Sequence, residues 1–164
     1  KASRSLKFQM KITDVLTNKT TQAILPWSSK KKVLENISLM VSDHLDGSSD
    51  HAENLFHSFV AREKLGSTSI GDGVAIPHCR VPGVKRIYGC LITLKQPINF
   101  DSFDDRPVDL IFALIVPQEK NDEHLATLAR VVTLLQKDSS RRLLRECQNG
   151  EDLYKTAIAL ERES

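Results

Sequence analysis

The feature that most constrains the fold is an almost unbroken apolar run from Val108 to Val116. A strand buried on one face alternates apolar and polar residues, whereas a strand covered on both faces is apolar almost throughout. A second candidate of this kind spans Ile87 to Leu94. Such strands need helices on both sides of one sheet, so the sequence predicts an α/β layer structure with a small sheet between helices.

Helices that could cover the sheet are predicted before the two strands. Thr21 to Pro26 is predicted to be extended, and apolar residues then recur at helical spacing from Val33 to Leu45. The next helix is predicted to have Asp50 as its N-cap and Gly66 as its C-cap. Two helices therefore precede the central strands.

Three more helices are predicted after the second strand. Asn121 is expected to cap the first, and Asp138 and Gly150 to open two shorter ones. The apolar face of the helix after Asn121 is predicted to comprise Leu125, Leu128, Ala129, Val132 and Leu135.

Length and charge narrow the class of protein. A chain of 164 residues has the size of one domain, which we assign to residues 11–164, with residues 1–10 as an N-terminal extension. The net charge of +2, from 23 basic and 21 acidic side chains, lacks the one-signed field that binds nucleic acid or a membrane surface. No segment approaches the roughly 20 apolar residues that cross a bilayer. We expect a cytoplasmic protein with neither partner.

The cysteines and most of the histidines point to no metal site. Three cysteines without a CxxC pair argue against disulfides and against a zinc site, and a reducing compartment fits them best. His44, His51 and His57 lack the i, i+4 spacing that places two ligands on one helical face. No GxxxxGK[ST] loop for nucleotide phosphates is present. The sequence thus predicts neither a metal nor another cofactor.

His78 is the residue on which a functional interpretation depends. It ends the segment from Gly71 to Pro77, in which two glycines and a proline determine the backbone path before the imidazole. Neutral imidazole is a nucleophile that can carry a group covalently, and a phosphoryl group is the cargo to test. We expect backbone near His78 to supply the hydrogen bond that orients its ring.

Phosphoryl transfer also needs donors for the phosphate oxygens. Arg62 offers a planar guanidinium, although an arginine in the last turn of a helix is also favoured by the helix dipole alone. His124 is predicted near a helix N-terminus, where anions bind, and an exposed polar residue is an equally good interpretation of it. Ser67, Thr68 and Ser69 add hydroxyls before His78, and Cys79 after it is a candidate modulator.

Several motifs in order carry a resemblance to a known family. They are Arg62 to Thr68, Gly71 to His78, Pro97 to Asp101, Pro107 to Leu110, Phe112 to Pro117 and Asn121 to Leu125. In this order they resemble the IIA components of the bacterial phosphotransferase system, of the mannitol/fructose type. The likeness runs from about Ile12 to Leu160, and within the family it is strongest to the nitrogen-regulatory IIA proteins.

The resemblance implies a fold, a site and a partner. The fold is a mixed β-sheet flanked by helices on both faces. His78 matches the histidine that accepts a phosphoryl group from an HPr-type phosphocarrier, His124 resembles the second active-site histidine, and Arg62 resembles the arginine near it. The resemblance therefore implies a phosphohistidine carrier that regulates target proteins, in potassium transport or in nitrogen or carbon metabolism, by its phosphorylation state.

The chain departs from the family pattern at two positions, and alternatives to a regulatory IIA protein remain open. Cys79 and Arg80 stand where relatives commonly have glycine and lysine, which puts the local loop shape in question. A sugar-specific IIA component would pass phosphate to a IIB domain. A binding module would act without phosphorylation. A metallohydrolase or a thiol enzyme built on Cys79 is a more distant alternative, because neither has its required partners at usable spacing.

Overall fold

The structure, a computed structural model, describes residues 10–45, 51–119 and 121–163. Almost all of the predicted extension at residues 1–10, and the predicted cap Asp50, lie outside these ranges. Met10 is described, and it packs against buried residues of the core. None of the helices in the described ranges combines the length and the apolar character needed to span a membrane.

The secondary structure follows the predicted order. The described helices are α1 Ile12–Val15, α2 Lys30–Ser42, α3 His51–Glu63, α4 Asn121–Leu135, α5 Asp138–Glu146 and α6 Gly150–Arg162, with one 3₁₀ turn at Asn18–Thr20. The described strands are β1 Thr21–Leu25, β2 Ser69–Gly71, β3 Val74–Ala75, β4 His78–Val81, β5 Tyr88–Ile98 and β6 Val108–Pro117.

The six strands form one mixed sheet. Its order is β1-β5-β6-β3-β2, and β4 also pairs with β6, beyond the end of β3. β1 lies parallel to β5, β5 antiparallel to β6, and both β3 and β4 parallel to β6. The predicted mixed sheet between helices is therefore confirmed.

The apolar run in β6 serves two separate cores. Ile111 and Ala113 face a cluster that α2 and α3 cover, with Ile37 and Phe59 among its fully buried members. The alternate residues, such as Phe112, face a second cluster covered from the other side by α1, α4, α5 and α6. An unbroken apolar strand is stable here because both of its faces are removed from water.

Two predictions about this architecture were wrong. The apolar face predicted for α4 included Leu125 and Ala129, but both are exposed, and the buried face carries His124, Thr127 and Val131 instead. Two of those inward residues are polar, so a search for apolar periodicity selected a rotated face. The strand predicted from Ile87 was expected to end at Leu94, but β5 continues to Ile98 and includes Pro97, where the pairing register with β6 shifts and no ladder N–H is needed.

The strands between Ser69 and Val81 were not predicted as strands. β2 and β3 form a hairpin whose turn, Gly71 to Gly73, has three consecutive residues in the left-handed region, with φ of 91°, 57° and 78°. These glycines therefore serve the hairpin turn, because a side chain is strained at such φ values. Strands of two to four residues are too short to show a hydrophobic period.

Candidate functional site

The backbone path changes immediately before His78. β3 pairs with Leu110 and Ile111 of β6, and β4 resumes with His78 opposite Leu114, so Ile76 and Pro77 interrupt one line of pairing. Pro77 has no N–H to donate, and its carbonyl accepts from Leu114 N–H at 2.8 Å. The interruption leaves the Ile76 carbonyl available to a side chain.

That carbonyl holds the His78 ring. His78 Nδ1 lies 2.8 Å from the Ile76 carbonyl oxygen. A carbonyl oxygen can only accept, so Nδ1 carries the hydrogen and, in the neutral ring, Nε2 carries the lone pair. The predicted backbone bond that orients His78 is confirmed, and it assigns nucleophilic character to Nε2.

His124 lies beside His78. Their ring centroids are 5.7 Å apart and their planes are tilted by 58°. His124 is only 7% exposed, and neither of its ring nitrogens has a hydrogen-bond partner among the described residues. A buried imidazole without partners is costly in a folded protein, so this ring is available to a group that arrives at His78.

Both imidazoles favour the neutral form. Burial lowers the pKa of His78 below 6.5, and the positive charge of Arg62 lowers it further. The hydrogen bond to Ile76 and the negative charge of Glu63 act in the opposite direction and raise this pKa, but they do not cancel the effect of burial. Burial also lowers the pKa of His124, and His78 and Arg80 act in the same direction. A neutral His78 is the form whose Nε2 can attack an electrophile.

Two arginines contribute positive charge near the rings. Arg62, in the last turn of α3, donates from Nη1 to the Gly66 carbonyl at 2.9 Å. Arg80 lies two residues beyond His78 on the same strand face, and its Nη1 is 3.4 Å from the Gln118 carbonyl. Arg62 acts electrostatically on His78, and His78 acts on His124, so the structure brings these three predicted site residues into one region.

Two of the three loop hydroxyls are not available as the phosphate donors that the sequence suggested. Ser67 Oγ donates to the Phe100 carbonyl at 2.6 Å, and Thr68 Oγ donates to the Glu63 carboxylate. Ser69 Oγ accepts from Gly71 N–H at 3.3 Å. The hydroxyls of Ser67 and Thr68 are therefore committed to contacts that stabilise the loop.

The Cys79 side chain is separated from the His78 ring. Strand alternation directs its side chain into the cluster under α2 and α3, on the face opposite to His78. Burial raises the pKa of its thiol to about 12. A buried thiol with so high a pKa is inert at neutral pH, so the interpretation of Cys79 as a modulator finds no support.

Sequence reasoning missed a buried carboxylate at the site. The Glu63 side chain is 5% exposed and pairs with Lys30 Nζ at 2.9 Å. An acidic residue in the last turn of a helix opposes the helix dipole, and this was the available signal that Glu63 has a specific partner. No group of three or more potential metal ligands occurs in the part of the chain that the structure describes.

Comparison with known proteins identifies the class that this fold and site define. Residues 14–158 match the family described as "Phosphoenolpyruvate-dependent sugar phosphotransferase system, EIIA 2". The match covers most of the chain, and the chain belongs to this family. The resemblance drawn from its motifs is therefore confirmed.

Several of the similar proteins within the family are nitrogen-regulatory proteins. The nitrogen regulatory protein of Pseudomonas aeruginosa is 38% identical over 149 residues, which is 91% of this chain and 96% of that protein. The crystal structure of nitrogen regulatory protein IIA-Ntr from Neisseria meningitidis superposes with a TM-score of 0.80 at 34% identity, over 89% of this chain and 98% of that one.

A more distant structure shares the fold alone. The mannitol-specific cryptic phosphotransferase enzyme IIA of Escherichia coli superposes with a TM-score of 0.71 at 17% identity. The superposition covers 92% of this chain and 99% of that one. The same arrangement of sheet and helices is thus retained at low sequence identity.

Proposed function

We propose that His78 accepts a phosphoryl group from an HPr-type phosphocarrier and that its phosphorylation state regulates target proteins. The observation that carries this proposal is the pair of rings at the site: Nδ1 of His78 is bound to Ile76, and the ring of His124 lies beside it without a partner among the described residues. A phosphorelay of this kind operates in the cytoplasm and requires no cofactor.

The transfer itself is a displacement at phosphorus. The Nε2 lone pair of neutral His78 attacks the phosphorus of the carrier's phosphohistidine, in line with the bond that breaks. A new P–N bond forms at His78 while the carrier's P–N bond breaks, and the carrier's nitrogen recovers its electron pair. The Nδ1 proton stays on His78 and remains bonded to Ile76.

His124 and Arg62 stabilise the charge that develops on the phosphoryl oxygens. A neutral imidazole offers one N–H donor, and the ring of His124 is already buried, so little reorganisation is needed when the group arrives. Arg62 adds a fixed guanidinium charge whose influence reaches His78. Arg80, which acts electrostatically on His124, adds a second positive charge.

Phosphorylation then changes the charge of a half-buried surface position. The neutral His78 ring gains a dianionic group on a chain whose net charge is only +2. A partner that docks over this site therefore meets either a neutral, positively flanked ring or a negative group. Regulation follows from that difference and requires no change of fold.

Intact mass measurement tests the proposal. The chain is incubated with phosphoenolpyruvate, enzyme I and an HPr-type carrier as wild type, His78→Ala and His124→Ala, with His57→Ala as a control at an exposed histidine. We expect one acid-labile phosphoryl group on wild type and on His57→Ala, none on His78→Ala, and slower uptake by His124→Ala. Absence of uptake by wild type from any cognate carrier would instead favour a module that binds partners without phosphorylation.

The same preparation separates regulation from sugar transport. Phosphorylated protein is mixed with candidate target proteins and with isolated IIB domains. A regulatory protein changes its affinity for a target between the two forms, whereas a sugar-specific component loses its phosphoryl group to a IIB domain. Equal affinity of both forms for every target would contradict regulation by charge.

A further inference from the structure

The contacts that orient His78 extend beyond the Ile76 carbonyl. Ile76 also donates its N–H to the Thr68 carbonyl at 3.0 Å, so both polar backbone groups of Ile76 are bound. Ile76 lies in the interruption between β3 and β4, where the ladder with β6 does not hold it. Besides the burial of its side chain, the hydrogen bond to Thr68 is therefore the contact that holds the Ile76 backbone ahead of the Pro77 carbonyl.

Thr68 is itself held by one carboxylate. Its backbone N–H donates to Glu63 Oε1 at 3.2 Å, and its hydroxyl donates to Glu63 Oε2. Thr68 is buried, so these bonds are shielded from competing water. Two donors on one residue that bind two oxygens of one side chain determine both its position and its orientation.

The Glu63 carboxylate is anchored in turn. Lys30 Nζ lies 2.9 Å from Glu63 Oε1 and 4.6 Å from the centre of the Phe100 ring. Burying a carboxylate at the C-terminal end of a helix is unfavourable by itself, because desolvation and the helix dipole both oppose it. The ion pair with Lys30 and the two bonds from Thr68 offset that cost.

We propose that Glu63 and Thr68 are positioning residues that hold His78 in the tautomer with hydrogen on Nδ1. Their path to the ring is Glu63 to Thr68, Thr68 to Ile76, and Ile76 to His78, with a hydrogen bond at each step. Only the expected effect on phosphoryl transfer rests on the proposed function. The tautomer is a property of the unphosphorylated protein.

Ring ¹⁵N NMR tests the assignment directly. Histidine-labelled wild type, Thr68→Val, Thr68→Ser and Thr21→Val are compared above the pKa of His78, and phosphoryl uptake is timed on the same samples. Thr21→Val is the matched control, because Thr21 is also buried and donates its hydroxyl to a nearby carbonyl, that of Thr17, in a contact remote from this path.

We expect wild-type His78 to carry its hydrogen on Nδ1. Thr68→Val is expected to give a mixture of tautomers and to slow phosphoryl uptake roughly five- to tenfold, the effect of one weakened hydrogen bond. Thr68→Ser, which keeps the hydroxyl, restores both properties, and Thr21→Val changes neither. A purely structural role for Thr68 would lower stability without moving the tautomer.

Other outcomes separate this inference from the proposed function. Wild-type His78 with its hydrogen on Nε2, or an unchanged tautomer and rate in Thr68→Val, would overturn the positioning role. If wild type takes up no phosphoryl group but Thr68→Val still shifts the tautomer, the positioning role stands and the proposed function fails. Should Thr68→Val not fold, Glu63→Gln tests the same positioning role. Glutamine keeps the size of the side chain but replaces one acceptor oxygen with a donor. We expect Glu63→Gln to shift the tautomer in the same direction as Thr68→Val, and an unchanged tautomer would overturn the positioning role.

Discussion

The imidazoles of His78 and His124 lie side by side, with ring centroids 5.7 Å apart. His78 lies in β4 and His124 in α4, so β5 and β6 separate the two residues along the chain. Each ring has a lowered pKa, and His78 contributes to the shift at His124. The two residues therefore form one electrostatic unit in which protonation of either ring opposes protonation of the other.

Removing a charge near His124 is expected to raise its pKa. In His78→Ala the neighbouring imidazole is lost, and in Arg80→Gln a positive charge is lost, so both variants relieve repulsion of protonated His124. An NMR titration of the His124 ring measures the change. Arg86→Gln is the control, because Arg86 stacks on Tyr88 and is not among the groups that shift His124. An unchanged titration in both variants would contradict the coupling.

Stability is expected to fall as the pH falls through the histidine range. Because the pKa values of His78 and His124 are lowered in the folded state from 6.5, the unfolded chain binds protons more readily. Their contribution to stability is complete above pH 6.5 and is lost as the pH falls from there through the folded-state pKa values. Urea unfolding across this range measures the slope. His124→Asn should give a shallower slope than wild type, and an equal slope would refute the assignment.

Arg62 is expected to affect transfer far more than stability. Arg62→Gln removes a charge near His78 and should slow phosphoryl uptake by at least about tenfold. Its one hydrogen bond to Gly66 is exposed, so the free energy of unfolding should change by no more than about 1 kcal/mol. Timed uptake and urea unfolding are the measurements. Lys64→Gln, a change at an exposed cation two residues away, should leave the rate unaltered.

A side chain at Gly73, in the hairpin turn before β3, is expected to destabilise the protein. A Cβ there would lie 2.6 Å from Arg145 Nη2, which donates to the Asp72 carbonyl, and φ is 78°. Gly83 has a similar φ of 84° with nothing within 4 Å of a Cβ. Gly83→Ala should lower the free energy of unfolding by about 1 kcal/mol, because alanine is strained at a left-handed φ. Gly73→Ala should lower it by about 2 kcal/mol more, because the new Cβ also displaces Arg145 from its hydrogen bond. Equal losses in urea unfolding would show that Arg145 moves freely.

Cys79 is expected to resist alkylation in the folded protein. Burial raises the pKa of its thiol, and that of Cys90, to about 12, so the reactive thiolate is scarce at pH 8 and is also inaccessible. Iodoacetamide followed by peptide mass analysis should label both residues only after unfolding. Rapid labelling of Cys79 in the native state would revive a role for it as a modulator.

The sequence by itself determined the layers of this protein. The apolar runs in β5 and β6 must be covered on both faces, and the amphipathic helices before and after them provide that cover. This much can be read from the sequence, because the hydrophobic effect depends on which positions are apolar and does not require specific contacts. The ordered motifs also identified the family, and they predicted His78, His124 and Arg62 as its site residues, because motifs and their order can be read from a linear chain.

Only the tertiary structure decided how the site is arranged. It showed that α4 turns His124 inward in place of Leu125, that Ile76 orients His78, and that the Ser67 and Thr68 hydroxyls stabilise the loop. Each of these depends on contacts between residues that the chain brings together from different elements. Local propensity carries no information about such contacts, because their free energies depend on the distance, angle and burial that the assembled fold creates.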